Sequence, residues 1–198
     1  MWNERYSAPG YLFGTEPALF LREQRARLAG GGAVLAVADG EGRNSVFLAE
    51  QGLTVTAMDA SDVAVEKARR LAAERGVADR ITHHVADTTA WDWAPDRFDL
   101  VVAIFIQFAS PAERAPLFEG MKRTLKPGGT LLLHGYRPKQ IEYGTGGPPH
   151  AENMYDEALL QAHFGELEIL RLESYDRDIQ EGAGHSGLSA LIDLVARK

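Results

Sequence analysis

Residues 33–59 read Ala-Val-Leu-Ala-Val-Ala-Asp-Gly-Glu-Gly-Arg-Asn-Ser-Val-Phe-Leu-Ala-Glu-Gln-Gly-Leu-Thr-Val-Thr-Ala-Met-Asp, and no other stretch of the chain constrains its architecture as tightly. Val34, Leu35 and Val37 make a short apolar run of the kind a sheet buries. A turn with glycines at 40 and 42 follows, then a helical stretch carrying Val46, Phe47, Leu48 and Ala49, stopped by Gly52. A second strand closes on Asp59, nineteen residues after Gly40. Strand, glycine turn, helix, strand and acid in that order form a unit suited to a nucleoside-bearing cofactor.

On either side of this unit strands and helices alternate. Strand 1 is expected over about 33–38, the helix after the turn over 43–51, and strand 2 over 53–58. An earlier helix is expected from Thr15 or Glu16, with Pro17 in its first turn and Gly30-Gly31-Gly32 ending it. Ser61 reads as the N-cap of a helix running to Arg75, with Gly76 as its stop. Strand 3 is read at 81–85, and the unbroken apolar run 98–106 reads as a central strand buried on both faces. Ser110-Pro111 opens a helix to Leu125, and Lys126-Pro127-Gly128-Gly129 turns the chain into a fifth strand, 130–134. An irregular stretch, a short helix (156–163) and two strands (167–173 and 187–196) complete the order. The last two strands are joined by the glycine-rich segment 181–187, too short for a crossover helix, so they run antiparallel. The expected fold is α/β: a Rossmann-like, doubly wound, seven-stranded sheet, mainly parallel with an antiparallel C-terminal pair. The whole span 1–198 is read as one domain, with 1–30 as N-terminal lid and helix and 135–155 as a substrate loop.

Bulk chemistry narrows the partners. The net charge of −7, from 21 basic and 28 acidic residues, gives no field to attract a phosphate backbone, so nucleic acid is not expected. No apolar stretch approaches the ~18 residues that span a bilayer. The opening Met-Trp-Asn-Glu-Arg-Tyr lacks the charged-then-apolar pattern of a leader, and a cytoplasmic location without membrane association is expected. There is no cysteine, which excludes disulfides, thiolate nucleophiles and cysteine-ligated metal. Adjacent His83 and His84 alternate across their strand and cannot chelate one ion together, so no metal is expected. The sequence pattern leaves the oligomeric state unspecified.

The turn has its own chemistry. Gly40 and Gly42 let the backbone approach a ligand, and the following helix offers free amides and its positive end. A pyrophosphate site wants a third Gly or Ala here, where this chain has Ser45. Glu41, inside the turn, is expected to oppose a pyrophosphate and to suit a cationic or zwitterionic ligand. Asp59 ends strand 2, where a carboxylate can accept hydrogen bonds from both ribose hydroxyls.

Together with Val85-Ala86-Asp87, Phe98-Asp99-Leu100-Val101-Val102 and Leu125-Lys126-Pro127-Gly128-Gly129, these motifs resemble the class I S-adenosylmethionine-dependent methyltransferases over about residues 15–198. The opening Trp-Asn-Glu-Arg-Tyr, followed by Tyr-x-Phe-Gly-x-Glu-Pro, is similar to the small-molecule branch that includes thiopurine and tellurite-resistance methyltransferases. The resemblance implies S-adenosyl-L-methionine as cofactor, held by Asp39, Gly40, Gly42, Arg43, Asn44, Asp59, Ala60, Asp87 and Thr88, with Asp87 on the adenine amino group and Met58 or Ala60 flanking the ring. One departure stands out. The family's acid-x-Gly-x-Gly-x-Gly pattern has its acid and first glycine where this chain has Ala36 and Ala38. Asp39 is expected to take over the acid's place near the methionine amine.

The implied activity is methyl transfer to a small-molecule acceptor that is partly hydrophobic or soft, a thiol included. The segment after strand 4, Ala103-Ile104-Phe105-Ile106-Gln107-Phe108, is apolar and lacks the Asn/Asp-Pro-Pro-Tyr element of amino-group methyltransferases. Candidate catalytic groups are Tyr6, His134, Arg137 and Tyr143, with His150 and Tyr155 further along the same loop and His185 remote from the chemistry. The N-terminal aromatics Trp2, Tyr6, Tyr11 and Phe13 serve either as a lid or as packing against the first helix. Two other readings of the turn remain: a noncatalytic module binding S-adenosylmethionine or S-adenosylhomocysteine, and a nicotinamide-dependent oxidoreductase.

Overall fold

The computed structural model describes residues 2–198; Met1, the first residue of the 1–198 and 1–30 spans and of the opening motif, lies outside them. Seven strands form one sheet in the order β3-β2-β1-β4-β5-β7-β6. They are β1 (Ala33–Val37), β2 (Thr54–Asp59), β3 (Ile81–Val85), β4 (Phe98–Ile104), β5 (Leu125–Tyr136), β6 (Glu168–Glu181) and β7 (His185–Arg197). The expected mainly parallel sheet with an antiparallel C-terminal pair is what the chain forms. It resolves into two compact units, described in turn.

The first unit comprises the chain up to Trp91 together with Glu181–Gly184. Its strands pair in parallel, β1 with β2 (Ala36 opposite Ala57) and β2 with β3 (Asp59 opposite Val85). This register brings the carboxyl ends of all three strands together. The helices α3 (Arg43–Glu50) and α4 (Asp62–Glu74) lie against β2 and β3. Val46, Leu48, Val65 and Leu71 bury their side chains with Val34, Leu35, Val55 and Met58 of the strands. Ser61 caps α4 as its sequence predicts, accepting the Ala64 amide at 3.1 Å, and Gly76 (φ +71°) lies just beyond the helix.

The N-terminal region departs from expectation. A short helix, α1, spans Trp2–Tyr6, and the helix expected at Thr15 begins only at Leu19, as α2 (Leu19–Glu23), before a 3-10 turn at Arg25–Arg27. The reason is where the first amides find acceptors. Ala18 N–H donates to Asn44 Oδ1 at 3.0 Å and Leu19 N–H to Glu181 Oε1 at 2.9 Å. These caps come from distant residues, so the local Thr15/Glu16 signal does not set the start.

The second unit holds β4 to β7 with α5 (Pro111–Thr124), α6 (Gln140–Tyr143) and α7 (Glu157–Phe164). Here β4 and β5 pair in parallel and β5 and β7 antiparallel. Ser110 caps α5 through a reciprocal capping box with Glu113, with Pro111 in the first turn. Strand β4 stops at Ile104 rather than 106 because Phe105 enters the left-handed region (φ +56°). Strand β5 begins earlier than expected. Gly128 N–H donates to Lys198 O at 2.7 Å and Lys198 N–H to Gly129 O at 2.9 Å, so the expected turn is drawn into a ladder with the chain's last residue. Strands β6 and β7 are likewise longer, leaving only residues 182–184 between them.

Candidate active site

Within the first unit, every candidate cofactor residue lies at or beyond the carboxyl end of β1, β2 or β3. The chain leaves β1 through three left-handed positions in five residues: Ala38 (φ +48°), Gly40 (φ +62°) and Gly42 (φ +91°). A Cβ on Gly42 would stand 2.7 Å from Ala68 Cβ and 2.8 Å from its Cα, so only glycine lets the turn seat against α4. Asp59 binds the turn from β2: one carboxylate oxygen accepts the Gly40 amide at 2.9 Å, the other the Ser61 amide at 2.8 Å. Burial pushes its carboxyl above the ordinary value, against those two amides.

Asp39 turns its carboxylate back to the first turn of α3, where it accepts the Ser45 amide at 3.2 Å and the Ser45 hydroxyl. Ser45 therefore anchors the relocated acid in the place where a dinucleotide site would have Gly or Ala. Burial pushes Asp39 up to about 7, with the Asp59 charge adding to the rise and Ser45 and Arg43 opposing it.

Two readings of the turn need correction. Glu41 is buried and points away from any ligand: Oε1 meets Lys67 Nζ at 2.9 Å and Oε2 accepts the Leu12 amide at 2.7 Å. It does not repel a pyrophosphate; the acids left to do so are Asp39 and Asp59. Arg43 and Asn44 are buried too, Arg43 paired with Glu181 at 2.8 Å and Asn44 capping α2. Their side chains hold the fold, which leaves only their backbone amides to the turn.

Lys67 also takes Ala8 O at 2.8 Å and Gly10 O at 2.7 Å, and Tyr11 Oη donates to Lys67 O at 3.3 Å. Asn3 accepts the Ser61 hydroxyl at 2.6 Å and donates to Asp62 at 2.8 Å. Residues 3–12 are thereby strapped across α4 and the glycine turn. Tyr6 is buried under Trp2 (stacked, 5.6 Å) and beside Phe13 (edge-on, 6.4 Å), and its hydroxyl would be 3.0 Å from a Cβ on Gly40.

At the end of β3, Asp87 is exposed and caps Thr89 through its amide (2.8 Å) and hydroxyl (2.6 Å), which hold its carboxyl below the usual range. Thr88 is half-buried and Ala60 exposed. Met58 is buried and takes the Ala38 amide on its sulfur at 3.5 Å, so of the two residues expected to flank an adenine only Ala60 is open.

The second unit gathers the remaining candidates around the ends of β4 and β5. The left-handed Phe105 sets its ring against His134 (4.8 Å), Tyr136 (4.7 Å) and His185 (4.2 Å). His185 is thus part of this cluster and not remote from it. Gln107 pins Tyr136 from both sides, donating to its carbonyl at 2.7 Å and accepting its amide at 2.6 Å. His134 Nδ1 lies 2.7 Å from Asp193, its direct partner across β5 and β7. Asp193 is fully buried and also meets Tyr175 Oη and Arg171, each at 3.0 Å. Sequence reading missed Asp193, although a lone acid within Ala190–Ala196 was the available signal. Arg137, Lys139 (2.7 Å) and Tyr143 (2.9 Å) converge on Asp176. Tyr155 is buried and belongs to the core, not to an open loop, whereas His150 is exposed. Among the described residues no group of three or more His, Asp or Glu could hold a metal ion, and no helix is long and apolar enough to cross a membrane.

A glycine turn opening a helix, tied by a carboxylate to the end of the next parallel strand, defines an α/β protein that binds a nucleoside cofactor. The first unit fits S-adenosyl-L-methionine in particular. Asp39, Asp59 and Asp87 stand at its strand ends, while Lys67 and Arg43 are engaged by Glu41 and Glu181, a charge pattern that suits a cationic ligand. Residues 34–129 match the methyltransferase domain family. The chain is 32% identical over 111 residues to the methyltransferase GfsG of Streptomyces halstedii, covering 56% of this chain and 40% of that one. It is 30% identical over 103 residues to the 2-heptyl-1-hydroxyquinolin-4(1H)-one methyltransferase of Mycobacteroides abscessus, covering 52% and 45%. The match thus spans less than half the length of these curated relatives. A SAM-dependent methyltransferase structure from Methanosarcina mazei shares the fold, with TM-score 0.72, 18% identity and 92% and 98% of the two chains covered. Residues 34–129 thus match a methyltransferase domain, within a fold shared with an S-adenosylmethionine-dependent methyltransferase structure.

Proposed function

We propose that this protein transfers a methyl group from S-adenosyl-L-methionine to a small-molecule acceptor, as one catalytic domain over 1–198. The observation that carries the reading is the Asp59 carboxylate held by the Gly40 amide at 2.9 Å. It fixes an acid at the end of β2 against a turn already shaped for close approach. In this reading Asp59 binds the ribose hydroxyls and Asp87 the adenine amino group, with Ala60 and Thr88 beside the nucleoside. Asp39 faces the methionine ammonium, and the amides around Gly40, Gly42, Arg43 and Asn44 line the turn. When bound, the cofactor supplies an electrophilic methyl on its sulfonium; the protein's part is alignment and exclusion of water.

Acceptor residues are sought at the ends of β4 and β5: Phe105, His134, Arg137 and Tyr143, with 135–155 as the acceptor loop and 1–30 as the lid. Their mixed aromatic and polar character supports a small organic acceptor. The curated relative named for a hydroxyquinolinone supports the same class. A soft nucleophile such as a thiol needs no base, so it stays within the proposal. A cytoplasmic protein without nucleic-acid or membrane partners fits the acidic surface charge.

Calorimetry with S-adenosylmethionine, S-adenosylhomocysteine and NAD tests the cofactor, and binding of NAD alone would sink the reading. Asp59→Ala should weaken cofactor binding by ~2 kcal/mol through lost charged hydrogen bonds. Labelled-methyl transfer into phenols, hydroxy-heteroaromatics, thiols and amines tests turnover. Cofactor binding with no acceptor methylated would point to a noncatalytic sensor.

A further inference from the structure

Within the second unit a carboxylate interrupts an apolar strand. Residues 190–196 of β7 read Ala-Leu-Ile-Asp-Leu-Val-Ala, and Asp193 is completely buried among them. Burying a charge is costly, and an apolar residue of similar volume would pack here without that cost. Asp193 is met from both neighbouring strands instead. His134 Nδ1 on β5 lies 2.7 Å from Oδ1, and Tyr175 on β6 donates its hydroxyl to the same oxygen at 3.0 Å. Arg171, also on β6, stands 3.0 Å from Oδ2.

This arrangement sets the state of the imidazole. Arg171 and Tyr175 hold Asp193 as a carboxylate, so Nδ1 carries the hydrogen donated to Oδ1 and the lone pair of the neutral ring is at Nε2. His134 stands near the carboxyl end of β5, the side on which open α/β sheets take their ligands. Phe105 is held edge-on to it at 4.8 Å by a left-handed backbone (φ +56°), a strained conformation for an aromatic residue. His185 and Tyr136 pack around the same ring at 4.2 and 4.7 Å. From the 135–155 loop, Met154 shares a buried cluster with Tyr136, and a Cβ on Gly147 would lie 3.0 Å from the Tyr136 ring. An acceptor reaches His134 by displacing this loop and is then shut off from water.

We infer that His134 is the base that takes the acceptor's proton, that Asp193 positions it, and that the acceptor is an aromatic hydroxyl rather than a thiol. This rests on the methyltransferase reading above. The acceptor oxygen bonds to the methyl carbon as the carbon–sulfur bond breaks, and that electron pair returns to sulfur to leave S-adenosylhomocysteine. The hydroxyl proton passes to Nε2. Asp193 stabilises the resulting imidazolium until bulk water takes the proton. A neutral hydroxyl needs this transfer, whereas an aryl thiol reacts as its thiolate without it. The ionisable groups around the ring are Asp193, then Tyr175 and Arg171 behind it with Glu173 on Arg171 (2.9 Å), and His185 and Tyr136 across Phe105.

The test is labelled-methyl transfer into naphthols and hydroxyquinolines, each beside its thiol counterpart. Saturating S-adenosyl-L-methionine removes the Asp39 ionisation from the pH profile. Wild type should methylate hydroxyls with a kcat that falls on the acid side. His134→Gln should lower that kcat about a hundredfold, leave any thiol turnover within about threefold, and abolish the acid limb. Its hydroxyl turnover should recover as pH passes the acceptor's own ionisation, because a phenolate needs no base. Asp193→Asn should lower kcat at least about tenfold with KM within about twofold, through the wrong imidazole tautomer. His185→Gln should keep the limb. Equal losses on hydroxyls and thiols at every pH, wild-type turnover of thiols alone, or an acid limb that survives in His134→Gln overturns the proposal. Thiol turnover, or hydroxyl turnover at high pH, counts the folded enzyme in each sample, so a destabilised variant still decides. If wild type binds S-adenosylhomocysteine yet methylates nothing, the methyltransferase reading itself fails, an outcome distinct from loss of the His134 effect alone.

Discussion

The Lys67 ammonium, from the middle of α4, lies 2.9 Å from the Glu41 carboxylate inside the glycine turn, and both side chains are buried. Glu41 completes its coordination with the Leu12 amide and Lys67 with two strap carbonyls. A buried pair satisfied on all sides is costly to break from one side, because the remaining charge stays out of water. Lys67→Met should therefore lose about 3–5 kcal/mol in urea unfolding. The double variant Glu41→Leu, Lys67→Met should recover much of that loss while leaving residues 3–12 loose. Faster proteolysis of the N-terminal segment in the double variant would report the released strap.

Glycines 42 and 52 have nearly the same backbone angle, φ +91° and +90°, in different surroundings. Gly52→Ala meets nothing within 4 Å, so it should cost only the left-handed penalty, about 1 kcal/mol. Gly42→Ala adds a clash with the Cβ and backbone of Ala68 and should cost several times more. Thermal unfolding of the two variants side by side separates conformation from contact. Equal losses would mean that α4 yields at Ala68.

Ala38 occupies the place where the family pattern has a glycine, and its φ of +48° shows that the turn still demands one. Ala38→Gly relieves a left-handed penalty of about 1–2 kcal/mol, against about 0.4–1 kcal/mol for the more flexible unfolded chain. The expected net gain is roughly 0.5–1 kcal/mol by chemical denaturation, with cofactor affinity unchanged.

The strand–turn–helix unit was legible because its signals are local: apolar runs, glycines where φ is positive, an N-cap at Ser61. The antiparallel end pair was legible because the short glycine-rich connector 181–187 leaves no room for a crossover helix. What sequence could not reveal was side-chain direction. Glu41 and Arg43 sit in the motif as if facing a ligand, yet Lys67 and Glu181, 26 and 138 residues further on (67 − 41 and 181 − 43), turn them into the fold. The start of α2 was misplaced because Asn44 and Glu181 cap it from afar. Asp193 drew no attention because its partner His134 lies 59 residues earlier, across an antiparallel ladder. Long-range polar pairs leave no periodic trace in a single sequence.

Asp39 makes the site pH-sensitive in two opposite senses. Its folded-state value of about 7 lies above the ordinary 3.8, so the folded chain holds this proton more tightly than the unfolded one. The stability this contributes is fully present below about pH 4 and is lost as pH rises through about 7. Asp39→Asn should therefore flatten the stability profile between these limits and leave the variant more stable than wild type at pH 8. Binding runs the other way. If Asp39 faces the methionine ammonium, it must be ionised in the complex, and S-adenosylmethionine should bind more tightly as pH rises from 6 to 8. Below its pKa, affinity should fall up to about tenfold per pH unit, with a proton released on binding. Calorimetry in buffers of different ionisation enthalpy counts that proton directly. Asp59, whose carboxyl is also raised, contributes a second slope, so the decisive comparison is wild type against Asp39→Asn. A variant that keeps the full pH dependence would move the ammonium's partner away from Asp39.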